Sequence, residues 1–203
     1  MQDEMSEREL KERLSLIENM IAEGRRRTES WGWTFILWGV AYYVAIGWSV
    51  WGHSTIAWPV TMIAASLLTA VVGSRTARND PETTLGRAMM AIWAGLGISV
   101  FLLMLSLGIS GRLELHVAVA IVGAMLGMAN ATSSILLKWK MQFVCALVWW
   151  ASAIAASFTS DIVTSVIFLS AIFFCQIVFG IYGMVAESRK HKANRAGQGV
   201  SHA

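Results

Sequence analysis

Six long apolar runs dominate the chain. They cover residues 31–51, 56–72, 88–110, 115–137, 141–159 and 162–186, and none has an Asp, Glu, Lys or Arg in its interior. Runs of this length cross about 30 Å of hydrocarbon as α-helices. They do not alternate with the two-residue period of a barrel strand, so helices are the expected form. Pro59 falls in the first turn of the second run, where a proline is tolerated.

The segment before the first run has a different pattern, SERELKERLSLIENMIAE. Leu10, Leu14, Ile17 and Ile21 recur at spacings of four, three and four, which lines one face of a helix. Leu16 and Met20 widen that stripe. Ser6 with Glu9 fits a capping box, and Glu7–Lys11 and Glu9–Arg13 are supporting pairs in the favourable order. An amphipathic helix is predicted here.

The breaks between runs set the expected orientation. With six spans, twelve basic residues near the membrane share one side: Arg25, Arg26 and Arg27, then Arg75, Arg78 and Arg87, then Lys138 and Lys140, then Arg189, Lys190, Lys192 and Arg195. The opposite side holds only Arg112. Basic residues favour the cytoplasmic side, so both termini are expected in the cytoplasm. The three connections on the other side, at 52–55, 111–114 and 160–161, are short. Short loops join antiparallel neighbours, giving three helical hairpins. The predicted organisation is a cytoplasmic helix and basic juxtamembrane segment at 1–29, a six-helix bundle at 30–187, and a basic tail at 188–203. The fold class is an all-α polytopic membrane protein.

Composition agrees. The 203 residues are 56% hydrophobic and only 14% charged, with a mean hydropathy of +0.56, against about a quarter charged in soluble domains. The segment before the first run has no early apolar core of the kind a signal peptide needs. Residues 1–24 carry seven acids against three bases. Membrane-surface helices are usually basic and the inner leaflet repels acids. The stripe of Leu10, Leu14, Ile17 and Ile21 is therefore read as a surface for its own bundle, a second copy or a cytoplasmic protein rather than for lipid.

Candidate chemistry is sparse. Asn130 and Gln176 are the strongest polar candidates inside the spans. They lie fifteen residues after Leu115 and fourteen after Ile162, at similar depth, and are expected to hydrogen-bond across two helices or to line a path. Gly123 and Gly127 form a GxxxG, a close-approach surface. On the side opposite the basic residues, His53, Glu114, His116 and Asp161 sit at span ends. They make a candidate metal or proton-sensing cluster, although their spacing matches no metal motif and Asp161 also reads as an ordinary N-cap. Cys145 and Cys175 lie within apolar runs and form no C-x-x-C pair, so they read as small buried hydrophobes. No phosphate loop, zinc-protease motif, nucleophile elbow or intramembrane charge relay is readable. No catalytic, cofactor or metal site is therefore expected, and no nucleic-acid partner.

Gly24 to Gly39 reads GRRRTESWGWTFILWG. Arg25, Arg26 and Arg27 are expected to hold the cytoplasmic side, with Trp31 and Trp33 anchoring the headgroup level. Gly32 and Gly39 leave one helix side small, and Trp38 lies deep enough to pack in the bundle. Leu14, Leu16, Ile17, Met20 and Ile21, followed by Gly32, Trp33, Leu37, Trp38 and Gly39, resemble the start of a group of small bacterial multi-pass membrane proteins. In that group an L-x-L-I-x-x-M-I helix precedes a WGW…LWG first span. The resemblance covers about thirty residues. It implies a link to membrane sensing or regulation and supplies no catalytic residues; the chain as a whole is read as a six-helix bundle of the inner membrane. The expected function is a non-enzymatic regulatory, sensing or interaction component. The alternative is a small transporter or channel with Asn130 and Gln176 on its path.

Overall fold

The computed structural model describes residues 9–20, 22, 32–54, 56–77, 84–186 and 188. Ile21, Arg25, Arg26, Arg27 and Trp31, the capping box, most of the loop around Asp80 and nearly all of the basic tail lie outside the described residues. Among the described residues the secondary structure is helical with no strand.

Helix α1 spans residues 9–20. The sequence then forms α2 (Gly32–Trp51), α3 (Ala57–Ala77), α4 (Thr84–Ile109), α5 (Leu115–Leu137), α6 (Lys140–Ala156) and α7 (Asp161–Ile172). A π-helical turn, Phe173–Val178, continues α7 as one rod to Ala186. Five of these helices are long and apolar enough to cross a membrane: α2, α3, α4, α5 and the α7 rod. Helix α6 is shorter, at 17 residues. The apolar run continues to Thr159, but the backbone closes early. Ser157 N–H donates to Ile154 O (3.1 Å) and Phe158 N–H to Ala155 O (3.0 Å). These tighter bonds end the helix, so the connection to α7 occupies 157–160.

The other ends follow known stop chemistry. At the end of α4, Gly111 adopts φ +67°, and Arg112 N–H reaches back to Leu107 O at 2.9 Å. Lys138 ends α5 in the left-handed region at φ 49°, with Trp139 N–H on Ser134 O at 2.9 Å. Both are turns that satisfy orphan carbonyls at a helix C-terminus.

The core lies among α2, α5, α6 and α7, where Trp149, Leu137 and Ile172 are fully buried. Aromatic rings lace it together. Phe168 meets Tyr42 and Trp149, each at 6.1 Å. Phe35 meets Phe179 at 5.1 Å and Trp93 of α4 at 5.5 Å. Trp38 is half-buried against this core.

Glycines set the closest approaches. A Cβ on Gly32 would lie 2.8 Å from Gly180 O, and one on Gly180 would lie 2.8 Å from Gly32 O. Gly39 faces Gln176 and Ile177. The small side of α2 is therefore filled by the second half of the α7 rod. Gly123 meets Trp149 O and Ala153, while Gly127 meets the Trp150 ring. The GxxxG thus packs within the chain, and residue numbers falling on α6 as they rise on α5 make the pair antiparallel.

The outward surface of these helices is mostly apolar, and its hydroxyls turn inward to their own backbone. Thr61 donates to Ala57 O (2.6 Å), Ser66 to Met62 O (2.8 Å), Thr69 to Ala65 O (2.8 Å) and Thr132 to Met128 O (2.9 Å). Each bond removes an unpaired donor, which hydrocarbon penalises heavily.

Candidate functional site

Two polar groupings stand out against this apolar background. The first lies where the N-termini of α5 and α7 meet the C-terminus of α6. His116, in the first turn of α5, places Nδ1 2.8 Å from Ala156 O and 3.1 Å from Thr164 Oγ1. Its Nε2 lies 2.6 Å from Asp161 Oδ1. Thr164 Oγ1 is also 2.9 Å from Thr159 Oγ1. Thr164 and Ala156 are fully buried, whereas the Asp161 side chain is 76% exposed. The node therefore runs from bulk solvent into the first layer of the core.

Local sequence explains each position. Ala156 ends α6, so its carbonyl is among those a helix leaves without an internal donor. Ser160, not Asp161, is the N-cap of α7. Its carbonyl receives Thr164 N–H at 2.8 Å. Asp161 is displaced one position into the first turn, where a carboxylate favours the helix dipole and where it meets His116. Among the described residues, no three of His, Cys, Asp and Glu converge as a metal site requires. His53 and Glu114 are exposed and do not join the node.

The second grouping lies along α5 and α6. Asn130 is 2% exposed, Ser133 0% and Gln142 0%. Asn130 Nδ2 donates to Leu126 O at 2.8 Å, within its own helix. Asn130 Oδ1, Ser133 Oγ and both amide atoms of Gln142 have no hydrogen-bond partner. The antiparallel register of Gly123 on Ala153 and Gly127 on Trp150 brings residues near 133 to a depth similar to residues near 142.

Gln176 is also buried, at 3%, but it belongs to the π-helical turn, where its Cβ abuts Gly39 of α2. The expected bond between Asn130 and Gln176 is not made among the described residues. Asn130 turns its amide to its own backbone, and the π-turn packs Gln176 against α2. The two cysteines are buried, with Cys175 Sγ 3.7 Å from Cys145 O.

Gln142 and Ser133 escape a reading of the sequence. Gln142 stands at the second position of an apolar run and looks like an interface residue. The usable signal is its spacing: Cys145, Ala146 and Trp149 follow at three, four and seven residues, which puts Gln142 on their face. Trp33 is half-buried near the start of α2. On α1, Glu9 pairs with Arg13 at 2.6 Å as the spacing predicts.

The helices and their apolar surface define the class, that of a multi-helix chain built to be compatible with a membrane. Comparison with protein-family models, with curated proteins and with solved structures finds no match in any of the three.

Proposed function

We propose that the protein is a non-enzymatic regulatory or protein-interaction component of the inner membrane, acting through α1. The observation that carries this reading is the free stripe on that helix. Leu10, Leu14, Leu16, Ile17 and Met20 are 59%, 52%, 63%, 52% and 42% exposed. Large apolar residues contiguous on one face mark an interaction surface. The acidic balance of residues 1–24 weighs against lipid as the occupant. The occupant is therefore a helix of another protein or of a second copy, received on i, i+4 and i+7 anchors.

Six spans with both termini cytoplasmic is the arrangement that supports this role. Helix α6 has 17 residues, the lower limit for a crossing. Counting it as a span keeps all twelve basic residues around the breaks on one side. A re-entrant α6 would split them.

Photo-crosslinking from position 14 in cells tests the reading. The expected product is a protein adduct or a self-dimer that disappears in Leu14→Glu/Ile17→Glu. Recovery of lipid adducts alone overturns it. A second reading, a small transporter with Asn130 and Gln176 on its path, is favoured by the orphaned polar atoms of Asn130, Ser133 and Gln142. The complete burial of Trp149 and Ile172, which lie midway along α6 and the α7 rod, favours the first.

A further inference from the structure

We propose that the α1 stripe is covered by α1 of a second copy, the two helices pairing parallel and in register as a short coiled coil. The proposal rests on the interaction reading of α1 and names its occupant. Every residue from Glu9 to Met20 is exposed, so the helix is open to a partner on all sides. Leu10, Leu14, Ile17 and Ile21 follow one another at four, three and four residues. That is the d, a, d, a order of a heptad seam, the repeat that winds two helices around each other.

The charges beside the seam fit the same helix. In this frame Arg13 is a g position and Glu18 an e position. In a parallel pair, g residues of one helix face e residues of the other and form interhelical salt bridges. Arg13 of each copy then meets Glu18 of the other, giving two opposite-charge pairs related by the twofold axis. Within its own helix, Arg13 Nη2 already donates to Glu9 Oε1 at 2.6 Å, and both side chains are exposed. A guanidinium has five N–H donors, so Arg13 can hold Glu9 and still reach Glu18 of the second copy. Glu9 and Glu12 fall at c and f positions, away from the seam, and do not oppose their own counterparts across it.

An antiparallel pair would set Glu18 against Lys11 instead and leave Arg13 out of the charge pairing. The membrane favours the parallel form. Copies in one bilayer share an orientation, and eleven residues join Met20 to Gly32 at the start of α2. A parallel pair brings both C-terminal ends to the bilayer together. An upright antiparallel pair draws one tether up the length of the coil, and a flat one lays an acid-rich segment on an anionic leaflet. Glu7 and Asp3 hold the two preceding seam positions, where unpaired charge is costly, so the apolar seam begins at Leu10. A helix pair this short is weak by itself. Anchoring in one membrane raises its effective concentration, and the pairing stays reversible, as a regulatory component requires.

Disulfide trapping of the full-length chain in membranes tests the proposal. Leu10→Cys, Ile17→Cys and Asn19→Cys are made singly and oxidised with copper phenanthroline. Cys145 and Cys175 are buried, and the unsubstituted chain gives the background. Leu10→Cys and Ile17→Cys are each expected to form a dimer with their own kind, and Asn19→Cys, on the opposite face, is not. In the Ile17→Cys chain, Arg13→Glu or Glu18→Arg is expected to lower the dimer yield by about two- to tenfold. Both changes in one chain, or the two variants co-expressed, restore it. Glu7→Leu extends the seam and is expected to raise the yield, a gain that unfolding cannot produce.

Three results overturn the proposal: no dimer at either seam position, a dimer only when Leu10→Cys and Ile17→Cys chains are mixed, or charge reversals that fail to rescue each other. Photo-crosslinks from position 14 to a different protein, with no seam dimer, refute the second copy and leave the interaction reading standing. Lipid adducts alone from that position, with no seam dimer, refute both.

Discussion

At the scale of single residues, two kinds of position carry the fold, those that must be small and those that are polar without a partner. Gly180 belongs to the first kind, because a Cβ there would meet Gly32 O at 2.8 Å and backbone cannot step aside. Gly180→Val is expected to destabilise the protein by about 1–3 kcal/mol. Gly97 has nothing within 4 Å of a would-be Cβ, so Gly97→Ala should stay within about 0.5 kcal/mol. Unfolding of both variants in the same bicelle system checks the contrast, and equal losses would show that the α2–α7 crossing is looser than drawn. Gln142 belongs to the second kind. Its two amide atoms are buried without partners, and an apolar side chain of similar shape relieves that. Gln142→Met is expected to raise stability by about 1–3 kcal/mol. A loss of stability instead would mean that the amide holds something, and would favour the transport reading.

At the scale of elements, α6 decides the topology. It ends at Ala156 because the i→i−3 bonds of Ser157 and Phe158 replace a further α-helical turn. The connections at its two ends carry exposed residues, Lys138 on one and Phe158 on the other. A membrane-impermeant thiol reagent should reach Lys138→Cys only from the cytoplasmic face and Phe158→Cys only from the opposite face. Labelling of both from one face would make α6 re-entrant and the chain five-span. The π-helical turn, Phe173–Val178, is the other decisive element. One extra residue per turn rotates the rest of the rod, which carries Phe179 onto Phe35 and Trp139 and Gly180 onto Gly32.

At the scale of the whole molecule, α3 and α4 form the flanks. Leu67 and Leu68 of α3 and Ile98 and Leu102 of α4 are 62%, 48%, 61% and 57% exposed. In water, surfaces this large would drive aggregation; in lipid they need no cover. Nitroxides at Leu67→Cys, Ile98→Cys and Ile154→Cys are expected to collide freely with dissolved oxygen in a bilayer. Protection at Ile98 alone would place a second copy against α4.

The sequence by itself determined the class of the chain. Long apolar runs without interior charge or strand alternation point to helices compatible with a bilayer, because in hydrocarbon a helix satisfies its backbone within one segment. It also placed the small side of α2 at Gly32 and Gly39, the close approach at Gly123 and Gly127, and the Glu9–Arg13 pair. These are local properties set by spacing along one helix. Tertiary structure alone decided which helices meet. The positions of His116 and Asp161 at span ends made them candidates for one cluster, and they do meet; nothing in the order of residues adds Ala156 O and Thr164 to the ring, because those contacts depend on where α6 stops and how the helices pack. Nor does spacing turn the Asn130 amide to Leu126 O or set Gln176 against Gly39, the latter because an inserted π-turn changes helix rotation without changing hydropathy. Polar residues at equal depth are candidates to pair; the rotation of each helix about its own axis determines whether they do.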